Sequence, residues 1–89
     1  MKPTQPRIDR AVRYMKRFLA SEDGRGFRTL SLDAQLLYVT GILICSEAGV
    51  IKKEQLDEAA NDDDVRFATL TIAGRVGLLG PAANLDRYA

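Results

Sequence analysis

Chemistry in a protein chain needs side chains that move protons, attack a substrate or hold a metal, and this 89-residue sequence is short of them. There is no histidine, so no serine–histidine or cysteine–histidine arrangement can exist. General acid–base work would fall to a carboxylate with a shifted pKa in a pocket. The densest carboxylates, Asp62, Asp63 and Asp64, are consecutive and therefore point different ways. They lack the alternating positions and closing glutamate of a calcium loop, and they stand where a helix start wants negative charge. Gly24-Arg25-Gly26 is too short for a phosphate loop, follows no strand and lacks the Lys-Ser/Thr ending. The lone cysteine, Cys45, lies in an apolar run and reads as a small core residue. No cofactor or metal motif appears. The expectation is a non-enzyme without cofactor, metal or small-molecule substrate.

The groups left to act are cations. Residues 1–28 carry eight Lys or Arg against three carboxylates, a net +5, whereas residues 29–89 carry five against nine, a net −4. That asymmetry suits either an acidic partner for one end or attraction between the two parts. Ile8 to Ala20 has helical spacing: Ile8, Ala11, Val12, Met15, Phe18 and Leu19 fall on one side at ~100° per residue. Arg10, Arg13, Lys16 and Arg17 fall on the other, with Arg7 bordering them. The plain reading is a core-facing helix with a solvated basic face. A sharper one sets that face against nucleic-acid phosphates. A third lays the helix on an anionic membrane, but the apolar face is needed to cover the core.

What must position these groups is organised around Leu30 to Gly49, the only long apolar run. Ser31 can cap a first turn, Asp33 follows inside it, and Gly49 is a natural stop. The span predicts a central helix over residues 31–47, apolar nearly all round and so covered nearly all round. Pro3 and Pro6 predict a loose leader over residues 1–7. Ser21 to Thr29 is a glycine-broken connector, with Phe27 and Leu30 plugging the join between helices. Val50-Ile51 could pair as a minimal strand. Lys52 to Ala60 reads as a short helix with Leu56, Ala59 and Ala60 inward. The aspartates cap a helix over Val65 to Ala73. There Val65, Ala68, Thr69 and Ile72 make one row and Phe67, Leu70 and Gly74 a second. Gly74 is expected to end it. Val76 to Leu79 and Leu85 to Tyr88 then read as two strands about the Gly80-Pro81 turn.

The length fits one domain able to bury a core. A single thiol, and a start with no apolar signal region, suit a cytoplasmic protein. The Leu36–Cys45 run is about half of what a bilayer crossing needs.

Three phrases carry a family resemblance: Thr29-Leu30-Ser31, then Leu36-Leu37-Tyr38, then Glu47-Ala48-Gly49-Val50-Ile51. With Ala73-Gly74, Val76-Gly77-Leu78-Leu79 and Tyr88, the segment from Phe27 to Tyr88 resembles the winged-helix domain of phage replisome organisers and primosomal replication initiators. The resemblance implies a mainly α winged helix-turn-helix over residues 31–88: three to four helices and a C-terminal β-hairpin wing, preceded here by the basic helix. It implies DNA binding in replication or transcription control, with the last helix in the major groove and the wing on the backbone. Arg66, Thr69 and Arg75 would then belong to the recognition helix, Lys52 and Lys53 to the helix before it, and Arg87 to the wing. Arg10, Arg13, Lys16 and Arg17 would supply much of the attraction, with a log–log salt slope of about −4 to −5. The rival expectation is an interaction module without sequence-specific DNA binding, as a homodimer or on a host protein, because the fold alone does not set function.

Overall fold

In the computed structural model, which describes residues 2–45 and 53–79, the first helix, α1, spans Gln5–Ala20. Thr4 starts it: its Oγ1 accepts the Arg7 N–H at 3.4 Å. Pro6 sits in the first turn, where a missing N–H leaves no bond unmade. The helix therefore begins at Gln5 instead of Ile8, and Pro6 belongs to a helix start, not to a loose leader. Ala11, Val12 and Met15 are buried along its inner face.

The chain leaves α1 through Ser21, whose N–H and Oγ both donate to the Phe18 carbonyl, at 3.0 and 2.6 Å. It then doubles back at Gly24. A Cβ there would stand on the Phe18 carbonyl oxygen and 2.8 Å from the Leu19 Cα, so only glycine allows so close a return. A 3₁₀ turn over Phe27–Thr29 buries Phe27. Its ring meets Phe18 and Tyr38 edge-on, at centroid distances of 5.4 and 5.1 Å. Leu30 does not share the plug; it is 49% exposed. Gln35 closes the join instead, its Nε2 donating to the Leu30 and Arg28 carbonyls at 2.9 and 3.2 Å.

The second helix, α2, runs Leu32–Cys45, with the Ser31 Oγ accepting the Ala34 N–H at 3.2 Å and Asp33 in the first turn. It touches all of the other helices, and Val39 and Leu43 are sealed from water. Gln35, Val39, Thr40 and Leu43 make its buried side; Leu32 and Leu37 remain exposed, so the rod is enclosed on most sides instead of nearly all. The expected stop at Gly49 and the Val50-Ile51 strand lie outside the described residues. The third helix, α3, spans Lys53–Ala60 and half-buries Leu56, Ala59 and Ala60. The fourth, α4, spans Asp63–Arg75. Asp62 caps it, its Oδ1 accepting the Asp64 and Val65 N–H groups at 2.9 and 3.1 Å. Val65, Ala68, Thr69, Ile72 and Ala73 face the core.

The end of α4 corrects the expected wing. Gly77 takes a left-handed φ of +77°. Its N–H donates to the Gly74 carbonyl at 3.3 Å, and the Leu78 N–H donates to the Ala73 carbonyl at 2.9 Å. That is the paired bonding of a Schellman cap, with Gly77 just past the helix and the buried Leu78 over Ala73. Val76 to Leu79 is thus a helix terminus whose Val76, Leu78 and Leu79 return to the core, not a strand. Among the described residues there is no strand at all. The mainly α class stands, the winged architecture does not, and the expected partner strand Leu85 to Tyr88 lies outside the described residues.

Candidate nucleic-acid interface

Burial of Ala11, Val12 and Met15 fixes the rotation of α1, and with it the direction of everything else on the helix. Arg10, Arg13, Lys16 and Arg17 are all exposed on its outer side. Tyr14 stands among them, 41% exposed, and Arg10, Tyr14 and Arg17 border a groove whose far wall is Ile42 and Cys45 of α2. The Tyr14 hydroxyl reaches Tyr38, whose phenol is pushed up to about 12, first by burial and then by that hydrogen bond. Tyr38 in turn stacks on Phe18 at 5.0 Å. The outer face of α1 is therefore anchored to α2 through an aromatic chain. Sequence reading passed over Tyr14. Its signal was an aromatic residue interleaved with cations at helical spacing.

The remaining expected contacts do not join this face. Thr69, expected to reach a base edge, is buried with its Oγ1 3.0 Å from the Thr40 Oγ1. Thr40 gives its one hydroxyl proton to the Leu36 carbonyl at 3.0 Å, so Thr69 is the donor in the pair. Its hydroxyl is consumed by the core. Arg75 reaches back to α1, its Nη1 3.0 Å from the Asp9 Oδ1. The guanidinium beside Asp9, with the Gln5 amide at 3.0 Å, holds that carboxyl below its ordinary value. Arg66 is exposed, half a turn of the helical wheel from Arg75, and lines a cleft between α2 and α4 with Asp33. Lys53 is exposed at the start of α3. Lys52 and Arg87 lie outside the described residues. The outward face of α4 holds Phe67, 76% exposed, and Leu70, 44% exposed, behind an acidic first turn. A helix so arranged offers a groove of DNA one arginine and two apolar side chains.

No group of three or more metal-ligating side chains occurs among the described residues, and no helix there is long and apolar enough to cross a membrane. No protein family, curated protein or solved structure matches the chain.

Proposed function

We propose that this domain binds the phosphate backbone of nucleic acid, DNA foremost, through the outer face of α1. The observation that carries the reading is the exposure of Arg10, Arg13, Lys16 and Arg17 together on one side of one rigid helix. From Arg10 to Arg17 the helix rises about 10 Å. Over that axial length one DNA strand offers about three phosphates. Tyr14 adds an aromatic surface amid the cations, suited to sugar or base contact. The outward side of α4 has no comparable set of donors, so the reading is binding with little sequence preference. A role in replication or transcription control rested on the resemblance whose wing has been corrected, and the α1 face supports binding alone.

The test is fluorescence anisotropy of a labelled duplex titrated at about 50 to 200 mM salt. Three to four phosphate contacts give a log–log slope of about −3 to −4, nearly the same for two duplexes of unrelated sequence. Absence of binding at the lowest salt, or a slope near zero, overturns the proposal.

A second reading, an interaction module, is favoured by Phe67. Phe67 is 76% exposed, and with Leu70 at 44% three residues on it gives α4 an outward apolar pair of the kind protein contacts use. The two readings concern different faces and do not exclude each other.

A further inference from the structure

We propose that the groove between α1 and α2 takes an unpaired base, which makes single-stranded DNA the preferred ligand of this chain; the inference rests on the phosphate-binding reading of α1. Arg10, Tyr14 and Arg17 are spaced four then three, so they form one stripe along the helix, with the ring between two guanidinium groups. Each of them is exposed and each borders the groove. The buried Ala11 lies at its floor, and the half-buried Ile42 and Cys45 of α2 make its far wall. On the helical wheel Arg13 and Lys16 fall on the other side of the stripe, away from Ala11. The cations of α1 therefore divide into a pair that flanks the groove and a pair that faces open solvent.

The order of charges and ring selects the occupant. Cation, aromatic ring, cation along one stripe matches phosphate, base, phosphate along a strand. Ala11, Ile42 and Cys45 offer the base an apolar bed, and Tyr14 offers it a ring to stack on. That ring is held in place: its hydroxyl bonds Tyr38, which stacks on Phe18 at 5.0 Å. A platform already fixed loses little freedom when a base settles on it. The groove holds about 360 Å³, inside the range of about 300–1,000 Å³ usual for small-ligand sites. A paired base cannot enter, because both of its faces are stacked within the duplex. Duplex DNA thus meets the cations and leaves the groove unused. An acidic peptide would engage the guanidinium groups but present no flat face to the ring, and a long-chain carboxylate would fill the apolar bed but engage one cation of the two.

Two opposing effects set the size of the preference. Stacking one base on one aromatic side chain raises affinity about 5- to 150-fold. A single strand carries less charge along its length, so each phosphate contact contributes about −0.7 to the log–log slope instead of about −0.9. Three to four contacts then give about −2 to −3 for the single strand, against about −3 to −4 for the duplex. Stacking involves no counterion release, so the preference for the single strand grows as salt rises.

Anisotropy titrations of a labelled single strand of about ten nucleotides, an abasic strand of the same length and the matching duplex test the proposal. At about 200 mM salt the single strand should bind tightest, and the abasic strand about 5- to 150-fold more weakly than it. Tyr14→Ala should bring the single strand down to the abasic level, while the duplex loses less than the low end of that range. Tyr14→Phe keeps the ring and should keep most of the affinity. The chain has no tryptophan, so tyrosine emission is readable: the single strand should quench it in the wild type and not in Tyr14→Phe. Equal binding of the single and abasic strands, or equal losses for single strand and duplex in Tyr14→Ala, overturns the groove and leaves the phosphate reading standing. Displacement of the single strand by an acidic peptide or a long-chain carboxylate more readily than by a nucleoside monophosphate also overturns it. No binding of any of these strands at the lowest salt overturns both readings together.

Discussion

Helices α1 and α4 do the same thing inward and opposite things outward. Each buries a row of small and medium apolar residues: Ala11, Val12 and Met15 on one, Val65, Ala68, Ile72 and Ala73 on the other. Outward, α1 shows Arg10, Arg13, Lys16 and Arg17, while α4 shows Phe67 and Leu70. The inward rows decide that both helices pack on α2. The outward rows decide what each can meet: solvent or a polyanion on α1, a dehydrated surface on α4. The helix that the order of elements nominated for DNA is thus the one with the less suitable surface.

The largest expected effect tests whether the inward rows are equivalent. Met15 and Ile72 are both 0% exposed. Met15→Ala and Ile72→Ala should each cost about 2–5 kcal/mol, from lost transfer energy and the cavity left behind. Urea denaturation measures both. A cost for Met15→Ala below about 1 kcal/mol would make α1 an appendage, and the comparison would then set a core helix against an arm.

Next in size is the outward contrast. At about 0.1 M salt each phosphate contact is worth nearly tenfold in affinity. The triple variant Arg13→Gln, Lys16→Gln and Arg17→Gln should therefore weaken duplex binding by about 100- to 1,000-fold and flatten the salt slope by about 2.7. Arg66→Gln on α4 should weaken it less than tenfold. Equal losses from the two helices would restore α4 as a contact surface and erase the distinction.

The contrast also explains what could be read from the residues beforehand. On α1 the polar and apolar sides are cleanly separated, so periodicity gave its faces; on α4 apolar residues lie on both sides, so the row of Phe67, Leu70 and Gly74 was visible but not which way it pointed. Local chemistry was legible at the caps: Ser31 and the aspartates before Val65 act as their types suggest. It misled where two conformations share a composition. Pro6 suits a leader as well as a first turn, and a glycine-flanked Val76 to Leu79 suits a strand as well as a helix cap. The bonds from the Gly77 and Leu78 N–H groups back to the Gly74 and Ala73 carbonyls separate the latter two. The fates of Thr69 and Arg75 depend on Thr40 and Asp9, 29 and 66 positions away, and no local pattern carries such information.

A smaller effect probes the inward side of α4 at Thr69. Thr69→Val removes a donor while Thr40 keeps its bond to the Leu36 carbonyl, so the cost should be about 0.5–1.5 kcal/mol. Thr40→Val leaves the Thr69 hydroxyl buried without its acceptor and should cost more, about 1–3 kcal/mol. Neither should alter duplex affinity. The reverse order of costs would mean that Thr40 is the donor, and a loss of DNA binding in Thr69→Val would return that residue to an interface.

The smallest effect lies in the ion pair between Asp9 of α1 and Arg75 of α4. Asp9 carries its partner on α4, Arg75, at 3.0 Å, with both side chains well exposed to solvent, so the pair is screened and its contribution is slight. Its pH dependence has a definite sign. Asp9 is held below its ordinary 3.8, chiefly by the hydrogen bond from Arg75 and then by that from Gln5. A carboxyl with a depressed folded pKa binds fewer protons folded than unfolded, so it stabilises fully above the unfolded value and loses that contribution as pH falls through the folded one. Asp9→Asn should therefore be slightly less stable than the wild type near neutrality, and the gap should close below about pH 4. Urea titrations of both proteins at stepped pH read the gap directly. A gap that stays constant across the series would show that Asp9 titrates alike in folded and unfolded chains, and α1 and α4 would then be joined by their apolar rows alone.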